Sequence, residues 1–358
     1  MKTATHRHSR QRDSARPERA SLHRGDFKIL LRRDGNVVVP DLAEHLIPLL
    51  RQLGADESLW KQEACAAVTP ILSVTRTVAT DLPLSDLKKA PTRDLWDLHD
   101  SLCHSSVSAQ AHSRSPNVTS LLDLKVELAE RLLSNCGLCH RRCGVDRLRG
   151  EAGFCGLGRT LQVGAYAMLY NEGPFVGAPT FAVFVRGCSL RCFYCYRSQD
   201  LLPDRHMEMD PPDLASLLDT VTEAGAQSWH FLGGNPDSSL LGILHALVHA
   251  KHSLPVVWNS AIVLSVEAMK ILKGVVDVWV CDFKFGNDLC AELLSQTPEY
   301  VAVVRRNLEL LYGEPWVVVR HATVPKHEAC CTIRVREVLT KEFPEFYYVE
   351  RPAHVPCH

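Results

Sequence analysis

The sequence predicts an α/β chain whose larger part is a partial (β/α)6 barrel. Three observations predict it. From residue 181 onward, short apolar runs alternate with amphipathic segments, the pattern of parallel strands joined by crossover helices. Six such runs occur, fewer than the eight of a closed barrel. Polar motifs stand at the C-terminal ends of the runs, where barrels collect their chemistry.

Five regions follow in order. Residues 1–26 are rich in Arg and Ser with no apolar stretch, so they read as a solvated, disordered tail. Residues 27–75 read as a small accessory module. A hairpin turns at Asp34-Gly35-Asn36, and Pro40 and Asp41 open a helix with Leu42, Leu46, Leu49 and Leu50 on its apolar side. Pro48 kinks that helix, and a second helix falls within 56–75. Residues 76–133 form a connector and a helix. Up to about 116 the periodic signal fades, and His99, Cys103, His104 and His112 read as scattered surface residues. Over 118–134, Leu121, Leu122, Leu124, Leu128, Leu132 and Leu133 recur at helical spacing. Residues 134–160 are a Cys-rich, metal-binding segment, and 178–352 are the barrel core.

Within the core, strands are expected over 181–186, 229–232, 256–258, 276–280, 316–319 and 346–349. Helices are expected over 210–223, capped by Asp210 with Pro211 in the first turn, and over 239–250, 265–274, 298–311 and 332–341. The strand ends carry Gly233-Gly234-Asn235, Asn259-Ser260, Asp282-Phe283-Lys284 and Arg320-His321.

A net charge of -1 leaves no global electrostatic footprint for nucleic acid. No run of about 18 apolar residues exists, so no membrane span is expected. Of the 14 cysteines, seven lie between Cys136 and Cys195 at metal-type spacings. That clustering suits thiolate sites in a reducing cytoplasm rather than disulfides.

The densest motif is Gly187-Cys188-Ser189-Leu190-Arg191-Cys192-Phe193-Tyr194-Cys195, on the loop that leaves the first core strand. A cluster held wholly by protein takes four thiolates. This loop offers three, at C-x3-C-x2-C spacing, and so leaves one metal position open. Loss of metal function, or zinc, is the competing reading. The loop, with Tyr194 before its third cysteine, resembles the cluster loop of radical S-adenosylmethionine (SAM) enzymes. Over roughly 134–352 the chain is similar to the branch containing pyruvate formate-lyase activating enzyme and its relatives. The resemblance implies a [4Fe–4S] cluster on Cys188, Cys192 and Cys195, whose open iron chelates SAM. It implies reductive cleavage of SAM to a 5'-deoxyadenosyl radical that abstracts a hydrogen atom.

It also implies roles at the strand ends. Gly233-Gly234 resembles the family's Gly-Gly-Glu motif at the SAM amino group, with Asn235 in place of Glu. Asp282-Phe283-Lys284 resembles the Asp-x-Lys element, Lys284 facing the SAM carboxylate. Arg320 resembles an arginine that helps to hold SAM, and Tyr194 packs near the adenine. Asn259 and Ser260 are further candidates for SAM's polar atoms. Alternation puts Asp282 and Lys284 on one side of the strand end and Phe283 on the other.

Cys136, Cys139, Cys143 and Cys155, at C-x2-C-x3-C-x11-C spacing, suit one more metal, either zinc or a second cluster. Cys281 reads as core. Cys290, Cys330 and Cys331 lack cluster spacing, and the neighbours Cys330 and Cys331 are not expected to chelate one metal easily, though lining the substrate side stays open to them. Cys357 is unassigned. Three functions remain open: radical activation of a protein partner by glycyl radical formation, radical chemistry on a small molecule or peptide, and a non-catalytic iron–sulfur or zinc protein. The first two imply an electron donor such as flavodoxin or ferredoxin.

Overall fold

The computed structural model describes residues 70–106, 119–170, 176–177, 179–195 and 206–353, with the side chains of 105 and 106 left aside. The tail, the hairpin at 27–39, the helix opened by Pro40, His112 and Cys357 lie outside the described residues.

One sheet organises the core. Its strands are β1 (Gln162–Leu169), β2 (Thr180–Val185), β3 (Met207–Glu208), β4 (Ser228–Gly233), β5 (Val256–Ser260), β6 (Val278–Asp282), β7 (Trp316–Thr323) and β8 (Tyr347–Pro352). Their order is β3-β1-β2-β4-β5-β6-β7-β8, and the sheet is not closed. From β2 to β8 every pairing is parallel, which gives the six strands expected. β1 and β3 add an antiparallel edge that the sequence did not announce.

Both faces of the parallel strands are buried, so they read as nearly unbroken apolar runs. Alternation divides them. Phe181, Val183, Val185, Trp229, Phe231, Trp258, Trp279, Cys281, Val317 and Val319 enter the main core under the helices. Val257, Val278 and Val280 form a smaller cluster on the opposite face. His230, Asn259, Asp282 and Arg320 share that second face by register.

The crossover helices are α5 (Pro211–Glu223), α6 (Leu240–His249), α7 (Val266–Leu272), α8 (Asp288–Ser295), α9 (Tyr300–Glu309) and α10 (Ile333–Glu342). Before the sheet come α1 (Ile71–Thr75), α2 (Leu84–Lys89), α3 (Thr92–Ser106) and α4 (Leu121–Ser134). Helices α2 and α3 lie in the connector, where the periodic signal of the sequence fades. Ser120 starts α4 with a reciprocal capping box to Asp123, and α4 packs on α3 and α6. Asp210 stands at the start of α5 without a side-chain capping bond, whereas Ser265 caps α7 through the Ala268 amide.

His99 is a second correction, because it is buried rather than on the surface. It meets the fully buried Lys125 ammonium at 2.8 Å. Lys125 also donates to the carbonyls of Lys270 and Lys273, at 3.2 and 2.9 Å, at the C-terminal end of α7. A cation there satisfies carbonyls that lack helical partners. Burial, then Lys125, lowers the His99 pKa to about 4, so the ring is a neutral partner at pH 7.

Asp277 joins the helical layer to the sheet. Its carboxylate accepts from the backbone amides of Ile71 and Val256, both at 2.8 Å. Burial nevertheless pushes its pKa up from 3.8 to about 6. A raised carboxyl favours folding in its protonated form, and that contribution is lost as pH rises through the folded pKa. Asp277→Asn cannot ionise. The stability of wild type relative to this variant should therefore fall by up to about 3 kcal/mol as pH rises through this window. Anaerobic denaturant unfolding at a series of pH values measures the difference; a constant difference would contradict it.

Candidate functional site

The site grows from the C-terminal ends of β5, β6 and β7. Register sets Asp282 beside Arg320 on neighbouring strands. Arg320 donates from Nε to Asp282 Oδ1 at 2.7 Å, and Lys284 donates from Nζ to Oδ2 at 2.6 Å. The second arm of Arg320 donates to Asn259 Oδ1 at 2.7 Å. One carboxylate thus orients two cations, and three strand ends are tied together. Burial alone would raise the Asp282 pKa, but Arg320 and Lys284 outweigh it and hold the carboxyl well below the usual range. Lys284 is raised despite burial, through Asp282 and then Cys192. The Tyr300 hydroxyl locks the turn, accepting from the Lys284 amide at 2.7 Å and donating to the Asp282 carbonyl at 3.0 Å. Phe283 points the other way into the core, as alternation predicts.

The cysteine loop begins where β2 ends. Gly233 stands at φ 118°, and a Cβ there would lie 2.6 Å from the Val185 carbonyl oxygen. Only glycine lets β4 turn this close to β2. The Gly234 amide donates to Val185 at 2.8 Å and the Asn235 amide to Gly187 at 2.7 Å. Gly233-Gly234 therefore braces the root of the loop rather than offering those amides to a ligand. On the far side, the amides of Arg191 and Phe193 donate to the carbonyls of Ser295 and Leu294, at 2.9 and 3.0 Å, at the end of α8.

The thiols of the loop lie close enough that ionised sulfur at Cys192 or Cys195 disfavours ionisation of Cys188. Burial, then Cys192, pushes Cys188 up to about 12. Burial pushes Cys192 to about 11, opposed first by Lys284. The cations of the strand ends and the thiols therefore occupy one electrostatic neighbourhood. Tyr194 is buried against Phe193 and Phe285, with ring centroids 5.2 and 6.3 Å away. Its hydroxyl, the ring nitrogens of His230 and the Asn235 side-chain oxygen Oδ1 are buried without a hydrogen-bond partner among the described residues, while the nitrogen of the same side chain faces the Asp237 carboxylate. Three soft thiol donors, two cations and unpaired buried polar atoms suit an iron–sulfur cluster and a polar, zwitterionic ligand.

The Cys-rich segment abuts this loop. Cys136, Cys139, Cys143 and Cys155 line one small cavity with Phe154, Asp237 and Ser238. The segment is stitched to the β5–α7 loop by His140 N–H to the Val263 carbonyl at 2.9 Å and Ser265 N–H to the Leu138 carbonyl at 3.0 Å. The guanidinium groups of Arg141 and Arg191 stack on the Phe154 ring, 3.8 and 4.3 Å from its centroid. Arg141 Nε also donates to the Ser189 carbonyl at 3.1 Å.

Residues 182–325 match the radical SAM superfamily. An uncharacterised protein of Methanocaldococcus jannaschii, MJ0674, is 32% identical over 277 residues, covering 74% of this chain and 79% of that protein. The chain belongs to the radical SAM superfamily. Members cleave SAM at an iron–sulfur cluster. Among solved structures, Streptococcus suis SuiB bound to precursor peptide SuiA is 12% identical, with a TM-score of 0.33 over 68% of this chain and 48% of that one. SuiB bound to S-adenosylmethionine is 12% identical, with a TM-score of 0.30 over 47% and 49% of the two chains.

Of the residues singled out in the sequence, Asn259, Asp282, Lys284 and Arg320 form one network. Ser260 does not join it: its hydroxyl donates to buried Asp237 at 2.7 Å. Asp237 also accepts from Trp258 Nε1 at 2.8 Å, and burial raises its pKa to about 6. No sequence motif marked it. His321 is structural, with Nδ1 2.7 Å from the Phe283 carbonyl oxygen and Nε2 3.0 Å from the Thr332 hydroxyl. No helix among the described residues is long and apolar enough to cross a membrane.

Removing the charge of Asp282 leaves two adjacent cations without their counterion. Asp282→Asn should cost about 3–5 kcal/mol of folding stability, because an unpaired buried charge costs more than the pair contributes. Anaerobic chemical denaturation measures this loss, and a change within about 0.5 kcal/mol would show the network to be a solvated surface feature.

Proposed function

We propose that the chain is a radical SAM enzyme of the activating-enzyme type, which cleaves SAM reductively and forms a glycyl radical on a protein partner. The observation that carries the SAM reading is the Asp282–Lys284–Arg320 triad beside the three-thiol loop. Two cations on one carboxylate leave a single net positive charge, which suits the SAM carboxylate. Asp282 takes one of the three ammonium hydrogens of Lys284, and the ammonium remains a donor toward a ligand.

Cys188, Cys192 and Cys195 would hold the [4Fe–4S] cluster, which supplies the electron for SAM cleavage. The electron would come from a donor such as a flavodoxin or ferredoxin. The Asn235 side-chain oxygen Oδ1, buried and without a partner among the described residues, is the acceptor we assign to the SAM ammonium in place of a carboxylate. Tyr194 closes the adenine side, and Asn259 orients Arg320. Gly233 and Gly234 act indirectly, by fixing the root of the loop.

The activating-enzyme assignment rests on the Asp-x-Lys element at Asp282 and Lys284. Cys136, Cys139, Cys143 and Cys155 are assigned a second metal, zinc or an iron–sulfur cluster, supported by their shared cavity. That segment also favours a second reading, radical chemistry on a small molecule or peptide, because it adds a thiol-rich wall directly against the loop. The cytoplasm is the compartment in which such unpaired thiols persist.

An anaerobic SAM-cleavage assay tests the first step. The reconstituted wild type should release 5'-deoxyadenosine, and Cys192→Ala should not, since two thiolates cannot hold the open cluster. Full cleavage by Cys192→Ala would sink the assignment.

Lys284→Ala separates ligand binding from cluster binding. SAM affinity should fall at least roughly tenfold, since removing one partner of a buried charge pair costs about 2–5 kcal/mol. Iron content and the cluster spectrum should stay intact. Lys284→Arg should restore only part of the affinity, because the planar fork is not a compact ammonium. Anaerobic calorimetry supplies the affinity, and an unchanged value would remove Lys284 from the site.

A further inference from the structure

Cys290, His327, Cys330 and Cys331 gather outside the site just described. Their ligand atoms all lie within 4.8 Å of one another. The Cys290 and Cys330 sulfurs are 3.7 Å apart. His327 Nδ1 lies 3.6 Å from the Cys290 sulfur and 3.3 Å from that of Cys330. A tetrahedral zinc with ordinary bond lengths sets sulfur–sulfur edges of about 3.8 Å and sulfur–nitrogen edges of about 3.6 Å. The Cys290–Cys330 and Cys290–His327 separations match those edges, the His327–Cys330 separation is shorter by about 0.3 Å, and the Cys331 sulfur lies within 4.8 Å of the other three ligand atoms. We propose that Cys290, His327, Cys330 and Cys331 form a structural zinc site of the Cys3His type.

The backbone explains how two neighbouring cysteines share one metal, contrary to the expectation from sequence. Glu328–Thr332 forms a single wide helical turn, in which the amides of Cys331 and Thr332 both donate to the His327 carbonyl, at 2.8 and 3.4 Å. Such turns are widened by one residue and recur at functional sites. This one brings sulfurs 330 and 331 into the same group as His327.

The surroundings are those of a prepared site. Asn287 donates from Nδ2 to the Cys290 sulfur at 3.2 Å and to the Cys330 carbonyl at 2.7 Å, while its Oδ1 accepts from the Cys290 amide at 2.8 Å. Amide donors to sulfur stabilise thiolates and orient ligands. A Cβ on Gly286 would lie 2.6 Å from the Cys331 carbonyl oxygen, so the β6–α8 loop packs directly on the turn. Cys290 and Cys331 are buried, and all four ligands belong to a closed set, as structural zinc requires.

The metal would fasten the start of α8 to the β7–α10 turn. The other end of α8 receives the amides of Arg191 and Phe193 from the Cys188 loop. The clamp would therefore steady the cluster loop through α8.

The test counts zinc and iron per chain in the anaerobically purified full-length protein, produced with zinc supplied. Cys330→Ser should hold about one zinc fewer than wild type at unchanged iron. Cys139→Ser should retain that zinc. Equal zinc in Cys330→Ser and wild type would overturn the site. Folding of the variant is bypassed by peptide-mapped alkylation of native wild type. Cys330 should be modified only after zinc is removed by a chelator. Equal modification with and without the chelator, or a disulfide joining Cys290 to Cys330, would also overturn it.

Discussion

The Asp282 carboxylate is the constraint on which the strand ends depend. It is the only acceptor described for the Lys284 ammonium, and it shares Arg320 with Asn259. Such a triad is a poor source of stability, because desolvating three charges offsets most of their attraction. Its value is geometric. Each oxygen of Asp282 fixes one cation, so the two point from neighbouring strand ends with little rotamer freedom left to lose on binding a ligand. Tyr300 adds rigidity by bonding the backbone on either side of Phe283.

The cysteine loop is likewise held before any cluster is considered. Its root is bonded to the turn after β4, its middle to the end of α8, and its outer side to Arg141 and Phe154. Three independent elements therefore set its path. This is the arrangement expected of a metal-binding loop whose ligands must converge within a few tenths of an ångström.

Much of this was legible in the sequence, and the exceptions have physical causes. Buried parallel strands announce themselves as apolar runs, so β2, β4, β5, β6, β7 and β8 were readable. β7 extends to Thr323 because Arg320 and His321 are polar yet belong to the strand. β1 was hidden because an antiparallel strand near the edge leaves Tyr166 exposed and carries small residues. Helix α3 carries Leu95, Leu98 and Leu102 at helical spacing, but Asp, His and Ser dilute them. The Asp282–Lys284 pairing followed from strand alternation. The Asn259–Arg320 bond did not, because it depends on register across three strands. Cys290 and His327 are 37 positions apart, and the wide turn that gathers Cys330 and Cys331 beside them leaves no mark in the spacing.

The two thiol-rich regions pose one electrostatic problem. Burial and neighbouring sulfurs raise both Cys139 and Cys188 to about 12, so thiolates at either place need compensation. Arg141 supplies part of it from between them, beside Arg191. Both stack on Phe154, which keeps two guanidinium groups side by side while the ring face offsets their repulsion. Arg141 senses Cys139, Cys143 and Cys188 together, so one cation serves both regions. Ionising the sulfurs on either side strengthens the hold of that arginine pair.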